Sequence, residues 1–158
     1  MKRQDIIACF FSIAVCLIAA AIGSIFTSAS LPIWYSSLTK PALNPPSWVF
    51  GPVWTVLYIL MGIAAFLIWQ KGWKRKDVQE ALSVFGLQLG LNILWSMFFF
   101  GLQNPGLAFL DIVLLWLSII WTIVLFQKLS RPAAYLLAPY LAWVTFASYL
   151  NLSIWLLN

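Results

Sequence analysis

Asn92, Trp95 and Phe99 follow one another at i, i+3 and i+7, and Trp143, Ala147 and Asn151 at i, i+4 and i+8. Such spacings gather each set on one face of an α-helix. Trp54 and Tyr58 form a similar pair. Indoles, phenols and carboxamides arranged this way stack against flat rings and direct single hydrogen bonds, but they are poor acids and bases at neutral pH. The chain contains no His, which removes imidazole as general base, zinc ligand or proximal haem ligand. Cys9 and Cys16 are seven positions apart in one apolar stretch, a separation of ~10 Å along a helix and too far to bridge. No catalytic set, metal centre or disulfide framework is therefore expected. The chemistry on offer is noncovalent capture by aromatic walls.

The composition says which elements carry these residues. Of the 158 residues 63% are hydrophobic and 8% charged, against about 45–50% apolar in soluble domains, so there is too little polar surface for a globule in water. Apolar runs at about 6–26, 47–70, 81–102, 107–127 and 133–157 each approach the ~20 residues that cross ~30 Å of hydrocarbon. Because lipid offers no partner to backbone N–H and C=O groups, and because the dyad alternation of a barrel is missing, these runs predict α-helices. The expected fold is all-α, a polytopic membrane protein in which residues 1–158 make one domain of five transmembrane helices. The first run follows Lys2 and Arg3 like a signal peptide, but its 21 uncharged residues exceed an h-region of about 7–15. It is read as a retained helix.

Five spans place Lys2, Arg3, Lys71, Lys74, Arg75, Lys76, Lys128 and Arg131 on one side and Lys40 alone on the other. The positive-inside rule then puts the N-terminus in the cytoplasm and the C-terminus outside. Lys71–Lys76 reads as an orientation and headgroup signal, and nucleic-acid binding is not expected.

Residues 27–46 form a long predicted first loop with Pro32, Pro41, Pro45 and Pro46 beside Trp34 and Tyr35. It is expected either to lie over the bundle as a lid or to serve as an interfacial connector. Among the ten tryptophans, Trp48, Trp69, Trp73 and Trp155 suit the interfacial belt, whereas Trp54, Trp95, Trp116, Trp121 and Trp143 lie deeper. Counted from the outer helix ends, Trp54 comes ~10 Å in, Asn92 and Ala147 ~15 Å, and Asn151 ~9 Å. Polar side chains at that depth face the bundle interior, which predicts an aromatic-lined pocket beneath the first loop. Asp111, the one acid inside a span, sits near the N-terminus of the fourth helix, where the macrodipole favours it. Loop backbone or Lys40 is its expected partner, with proton-coupled transport as the alternative. Gly86 and Gly90 form a G-x-x-x-G, which suits a dimer face or close packing within the monomer. Pro52 and Pro139 are expected to kink or loosen the second and fifth helices.

These residues also carry a resemblance. Trp34-Tyr35-x-x-Leu38-x-Lys40-Pro41-x-x-x-Pro45-Pro46, Gly51-Pro52-Val53-Trp54-x-x-Leu57-Tyr58, Asn92-x-x-Trp95, Phe99-Phe100-Gly101, Asp111 and Pro139-Tyr140-Leu141-Ala142-Trp143-x-x-Phe146-Ala147-x-x-Leu150-Asn151 together resemble the tryptophan-rich sensory protein family, whose animal members are the translocator protein or peripheral benzodiazepine receptor. The match is to a prokaryote-like member and covers nearly the whole chain.

The resemblance implies a cell-membrane protein, often a homodimer, that binds porphyrin- or haem-type tetrapyrroles and other lipid-like small molecules in a pocket closed by the first loop, without an obligatory cofactor. Carried over, Trp54, Asn92, Trp95, Trp143, Ala147 and Leu150 line that pocket, and Tyr58, Phe99 and Phe146 beside them complete the expected ligand-binding set. Trp34, Tyr35, Lys40 and Pro45 belong to the lid, and Gly86 and Gly90 to the dimer contact. Leu107 stands where animal members carry a pocket Trp, and no basic residue follows Arg131, so the C-terminal cholesterol consensus of those members is not expected. Three functions follow as expectations. The first is a sensor or carrier that stacks the macrocycle on Trp54, Trp95 and Trp143 with a hydrogen bond from Asn92. Passive transport of porphyrin or lipid is the second. The third is light-dependent porphyrin breakdown, in which the excited macrocycle supplies the chemistry.

Overall fold

The computed structural model describes residues 3–158; Lys2, counted above on the basic side, lies outside them. Five helices are long and apolar enough to cross a membrane, and no strand occurs among the described residues. The all-α expectation therefore holds. Helix α1 (Arg3–Ser30) runs on without interruption into a π-turn, Leu31–Tyr35. After a 3-10 turn, Ser47–Val49, come α2 (Phe50–Trp69) and α3 (Lys76–Ser96), the latter also ending in a π-turn, Met97–Gly101. Helix α4 is Pro105–Leu129, and the fifth span is divided into α5 (Arg131–Leu136) and α6 (Ala138–Leu157).

The first loop is shorter than the predicted 27–46, because helix continues through Tyr35 and brings Trp34 and Tyr35 onto the helix end. Two features sustain it. The hydroxyls of Ser24, Thr27 and Ser28 donate to carbonyls three or four residues back in their own helix, so these residues do not terminate it. Pro32 sits at the start of the wider π-turn, where its missing N–H is accommodated. Pro52 does not kink α2, since it lies in the first turn (α2 begins at Phe50), where amide donors are unpaired anyway. Pro139 behaves as expected: the fifth span breaks at Leu137, between α5 and α6. Helix α4 begins at Pro105, two residues before its predicted start, because Asn104 caps it by accepting from the Leu107 amide at 3.0 Å. Helix α3 begins at Lys76 rather than 81; Asp77 in its first turn complements the helix dipole and pairs with Arg75 at 2.6 Å. That pairing holds the exposed Arg75 guanidinium above its ordinary pKa.

The core runs along the bundle axis, with Cys16 and Ala19 of α1, Met61 and Ala64 of α2, Phe85 and Leu89 of α3, Ile112 and Leu115 of α4, and Val144 of α6. Lipid tails are as apolar as these side chains, so close packing and interhelical hydrogen bonds hold such helices together. The tightest contact is at Gly62: a Cβ there would come within 2.5 Å of the Ile13 Cα, and the Ser12 hydroxyl donates to the Gly62 carbonyl at 2.8 Å. Near its loop end α1 instead leans on α3. Ser30 Oγ donates to the Phe100 carbonyl at 2.6 Å, and a Cβ at Gly101 would stand 2.9 Å from the Phe26 ring.

Gly62→Val is expected to lower folding stability in detergent by about 1–3 kcal/mol through overpacking against α1 backbone. Gly51→Ala, where an added Cβ meets nothing within 4 Å, is expected not to lower it. Thermal unfolding of the two variants checks the contrast.

Candidate functional site

Above the Ser12–Gly62 crossing, toward the first loop, the helices enclose a partly open cavity of about 330 Å³, at the lower end of the range for small-molecule sites. Trp54 and Tyr58 enter from α2, Asn92 and Trp95 from α3, Phe99 from its π-turn, and Trp143, Ala147 and Leu150 from α6. The i, i+4 and i+7 positions of α6 thus share one face. Phe146 does not line the cavity; it falls to the side of that face, its ring centroid 5.8 Å from that of Trp143 and 6.3 Å from that of Tyr149. Of the five deep tryptophans, Trp54, Trp95 and Trp143 converge. Trp121 is 50% exposed on the outer surface, and Trp116 hydrogen-bonds Thr145 of α6.

The cavity floor is a chain of buried hydrogen bonds. Tyr58 OH donates to Asn92 Oδ1, Asn92 Nδ2 donates to Tyr140 OH, and Tyr140 OH donates to Gln88 Oε1, each at 2.8 Å. Asn92, 2% exposed, therefore has both ends of its carboxamide engaged and is not a free arm reaching for a guest, although an amide retains a second N–H and a second lone pair. Trp95 Nε1 is likewise committed, donating to Asn151 Oδ1 at 2.9 Å, while Asn151 Nδ2 donates to the Pro105 carbonyl at 2.7 Å. The Trp143 indole N–H is buried in the wall with no partner among the described residues. A buried donor without an acceptor is unfavourable, and an acceptor on a bound molecule would satisfy it.

At the loop end, Tyr35 lines the cavity and donates through its hydroxyl to Asn44 Oδ1 at 2.7 Å. Trp34 stands outside the lining, edge-on to Phe99 and Phe100. Lys40 Nζ lies 4.9 Å from the centroid of the Tyr35 ring and donates to the Ser36 and Leu38 carbonyls. The Pro45 carbonyl accepts from Asn44 Nδ2. The loop is also tied to α6, because Thr39 N donates to Asn158 Oδ1 at 2.9 Å and Asn158 Nδ2 donates to Thr39 O at 3.0 Å. Asp111, 5% exposed, is not paired with Lys40 or with loop backbone, and its Oδ2 has no partner among the described residues. The expected pairing fails because α1 carries its helix through Tyr35 and turns Lys40 back onto that end. A Cβ at Gly86 or Gly90 would meet nothing within 4 Å among the described residues, so close packing within the monomer does not explain them.

Sequence reasoning missed the contribution of α1, where Ala20, Ala21, Gly23, Ser24 and Thr27 form one side of the cavity. The signal was a cluster of small residues, Ala19, Ala20, Ala21, Gly23 and Ser24, in an otherwise bulky span. Phe50, Thr55, Ser96 and Phe100 also belong to the lining.

Residues 12–156 match the TspO/MBR family. The chain is 45% identical over 156 residues to a tryptophan-rich protein TspO of Chlorobaculum tepidum, a match covering 99% of each. To the TspO of Archaeoglobus fulgidus it is 48% identical over 137 residues, 86% of this chain and 87% of that one. The human translocator protein is 40% identical over 136 residues, covering 85% and 80%.

Tyr140→Phe leaves Asn92 Nδ2 without its acceptor and Gln88 Oε1 without its donor. The variant is expected to lose about 1–2 kcal/mol of stability, measured by thermal unfolding in detergent, with Tyr135→Phe, an exposed position, as the unchanged control.

Proposed function

This chain belongs to the TspO/MBR family, a family of membrane proteins, and from that premise we propose that it is a receptor for flat, amphipathic tetrapyrroles of the porphyrin or haem type. The observation that carries this reading is the meeting of Trp54, Trp95 and Trp143 around one void with the Trp143 N–H unpaired in its wall. Aromatic faces hold a planar macrocycle by offset or edge contacts, and the free indole donor selects a guest with an acceptor at its rim. The macrocycle's carboxylates lie toward the loop, near Lys40 and the N-terminal ends of α2 and α4, where the helix dipoles favour negative charge. No cofactor is required for capture.

Relatives bear the names tryptophan-rich sensory protein, in Cereibacter sphaeroides, and translocator protein, in mammals. A receptor or one-stop carrier fits the geometry better than a channel, because the Tyr58–Asn92–Tyr140–Gln88 floor and the fully buried Met61 and Ile68 beyond it leave no open path along the bundle. The basic residues at the inner helix ends set the N-terminus in the cytoplasm. The open Gly86–Gly90 face of α3 supplies the contact for a homodimer.

Protoporphyrin IX is expected to quench intrinsic tryptophan fluorescence saturably in detergent or nanodiscs. Trp143→Phe, which keeps a ring but removes the N–H, should weaken binding about 3–10-fold, the equivalent of one lost hydrogen bond. Ala147→Phe, which fills the cavity, should abolish it. Identical titrations for all three proteins would refute the assignment.

A further inference from the structure

We propose that the cavity exchanges its guest with the membrane, through the gap between α1 and α2 in the leaflet at the loop end, while the loop above stays shut. The inference rests on the reading of the cavity as a tetrapyrrole site and adds the route by which it fills. Packed helices that cross at an angle separate with distance from their closest approach. For α1 and α2 that point is the Gly62 contact with Ile13, reinforced by Ser12. Nearer the loop, no hydrogen bond joins the two helices among the described residues, and each is fastened to a different neighbour. Helix α1 is held to the end of α3 through Ser30 and Phe100. Helix α2 rests on α6 through Phe50 against Trp143, at 6.0 Å, and Trp54 against Tyr140, at 6.2 Å. The cavity lies between the two pairs.

The cavity-lining residues that are also exposed mark its mouth. They are Ala21 and Ser24 of α1 and Gly51 and Thr55 of α2, and all four are small. Their two hydroxyls are already satisfied on their own helices, Ser24 on the Ala21 carbonyl at 2.8 Å and Thr55 on the Gly51 carbonyl at 2.9 Å. The mouth thus presents neither bulk nor an unmet hydrogen bond to hydrocarbon, and a planar apolar molecule dissolved among lipid tails can slide through it edge first. The other way in, from water, is closed by hydrogen bonds that would have to break: Tyr35 to Asn44, and both arms of the Thr39–Asn158 pair.

The test uses the full chain in proteoliposomes, with protoporphyrin IX as the probe and stopped-flow tryptophan quenching as the readout. Ser24→Trp and Thr55→Trp place bulk in the mouth from opposite helices, so the loss of one variant to misfolding leaves the other. Each is expected to slow association and dissociation together by at least tenfold. Asn158→Ala, which removes the tie of the loop to the end of α6, is expected to leave both rates within twofold of the unsubstituted protein. Wild-type rates in both Trp variants, or faster exchange in both directions in Asn158→Ala, would overturn the membrane route while leaving the binding site intact. Absence of saturable quenching in the unsubstituted protein would overturn the route and the binding reading together.

Discussion

The hydrogen-bond chain from Tyr58 through Asn92 and Tyr140 to Gln88 joins α2, α3 and α6 at one depth, and the cavity depends on it. In hydrocarbon no water competes for these groups, so each finds its partner in another helix. Below this layer apolar residues fill the bundle: Met61, Ala64 and Ile68 of α2 are fully buried, as are Ile119 and Phe126 of α4. Above it the same helices carry rings too large and too differently oriented to close on one another. Polar groups thus fix the floor, and aromatic groups hold the walls apart.

The walls are held as firmly as the floor. Trp95 stacks on Phe99 at 5.2 Å, with an interplanar angle of 23°, and its N–H is anchored on Asn151, so this ring is pre-positioned before a guest arrives. Trp143 is oriented by Phe50 and Phe146 but keeps its N–H unspent. One indole is therefore a fixed platform and another an oriented donor. Preorganisation of this kind lowers the ordering that binding requires. Helix α1 completes the enclosure with small residues where the other helices use large ones, which confines the opening to one side.

Much of this architecture can be read in one dimension. The five apolar runs specify the spans, and Asn92 and Asn151 orient their helices because an amide in hydrocarbon turns inward. The i, i+3, i+4 and i+7 positions around them then mark the faces that carry Trp95 and Trp143. What could not be read is what each polar group does once it faces inward. Asn92 spends its carboxamide on two tyrosines from other helices, and Asp111 remains without Lys40, since both outcomes turn on helix rotation. Prolines from residue 32 onward suggested a loop, yet hydroxyls bonded back onto their own helix and a wide turn at Pro32 carried α1 onward to Tyr35.

The sequence by itself determined the number of membrane spans, their approximate positions and the faces of α2, α3 and α6 that bear rings and amides, because those properties follow from local periodicity and from the absence of water in lipid. Only the tertiary structure decided that three tryptophans meet, that Trp116 and Trp121 do not join them, that α1 lends a wall, and where the wall stands open. The reason is that convergence depends on crossing points between residues far apart in the chain. Ile13 against Gly62 is such a point, and nothing in the neighbourhood of either residue specifies the angle at which two helices pass.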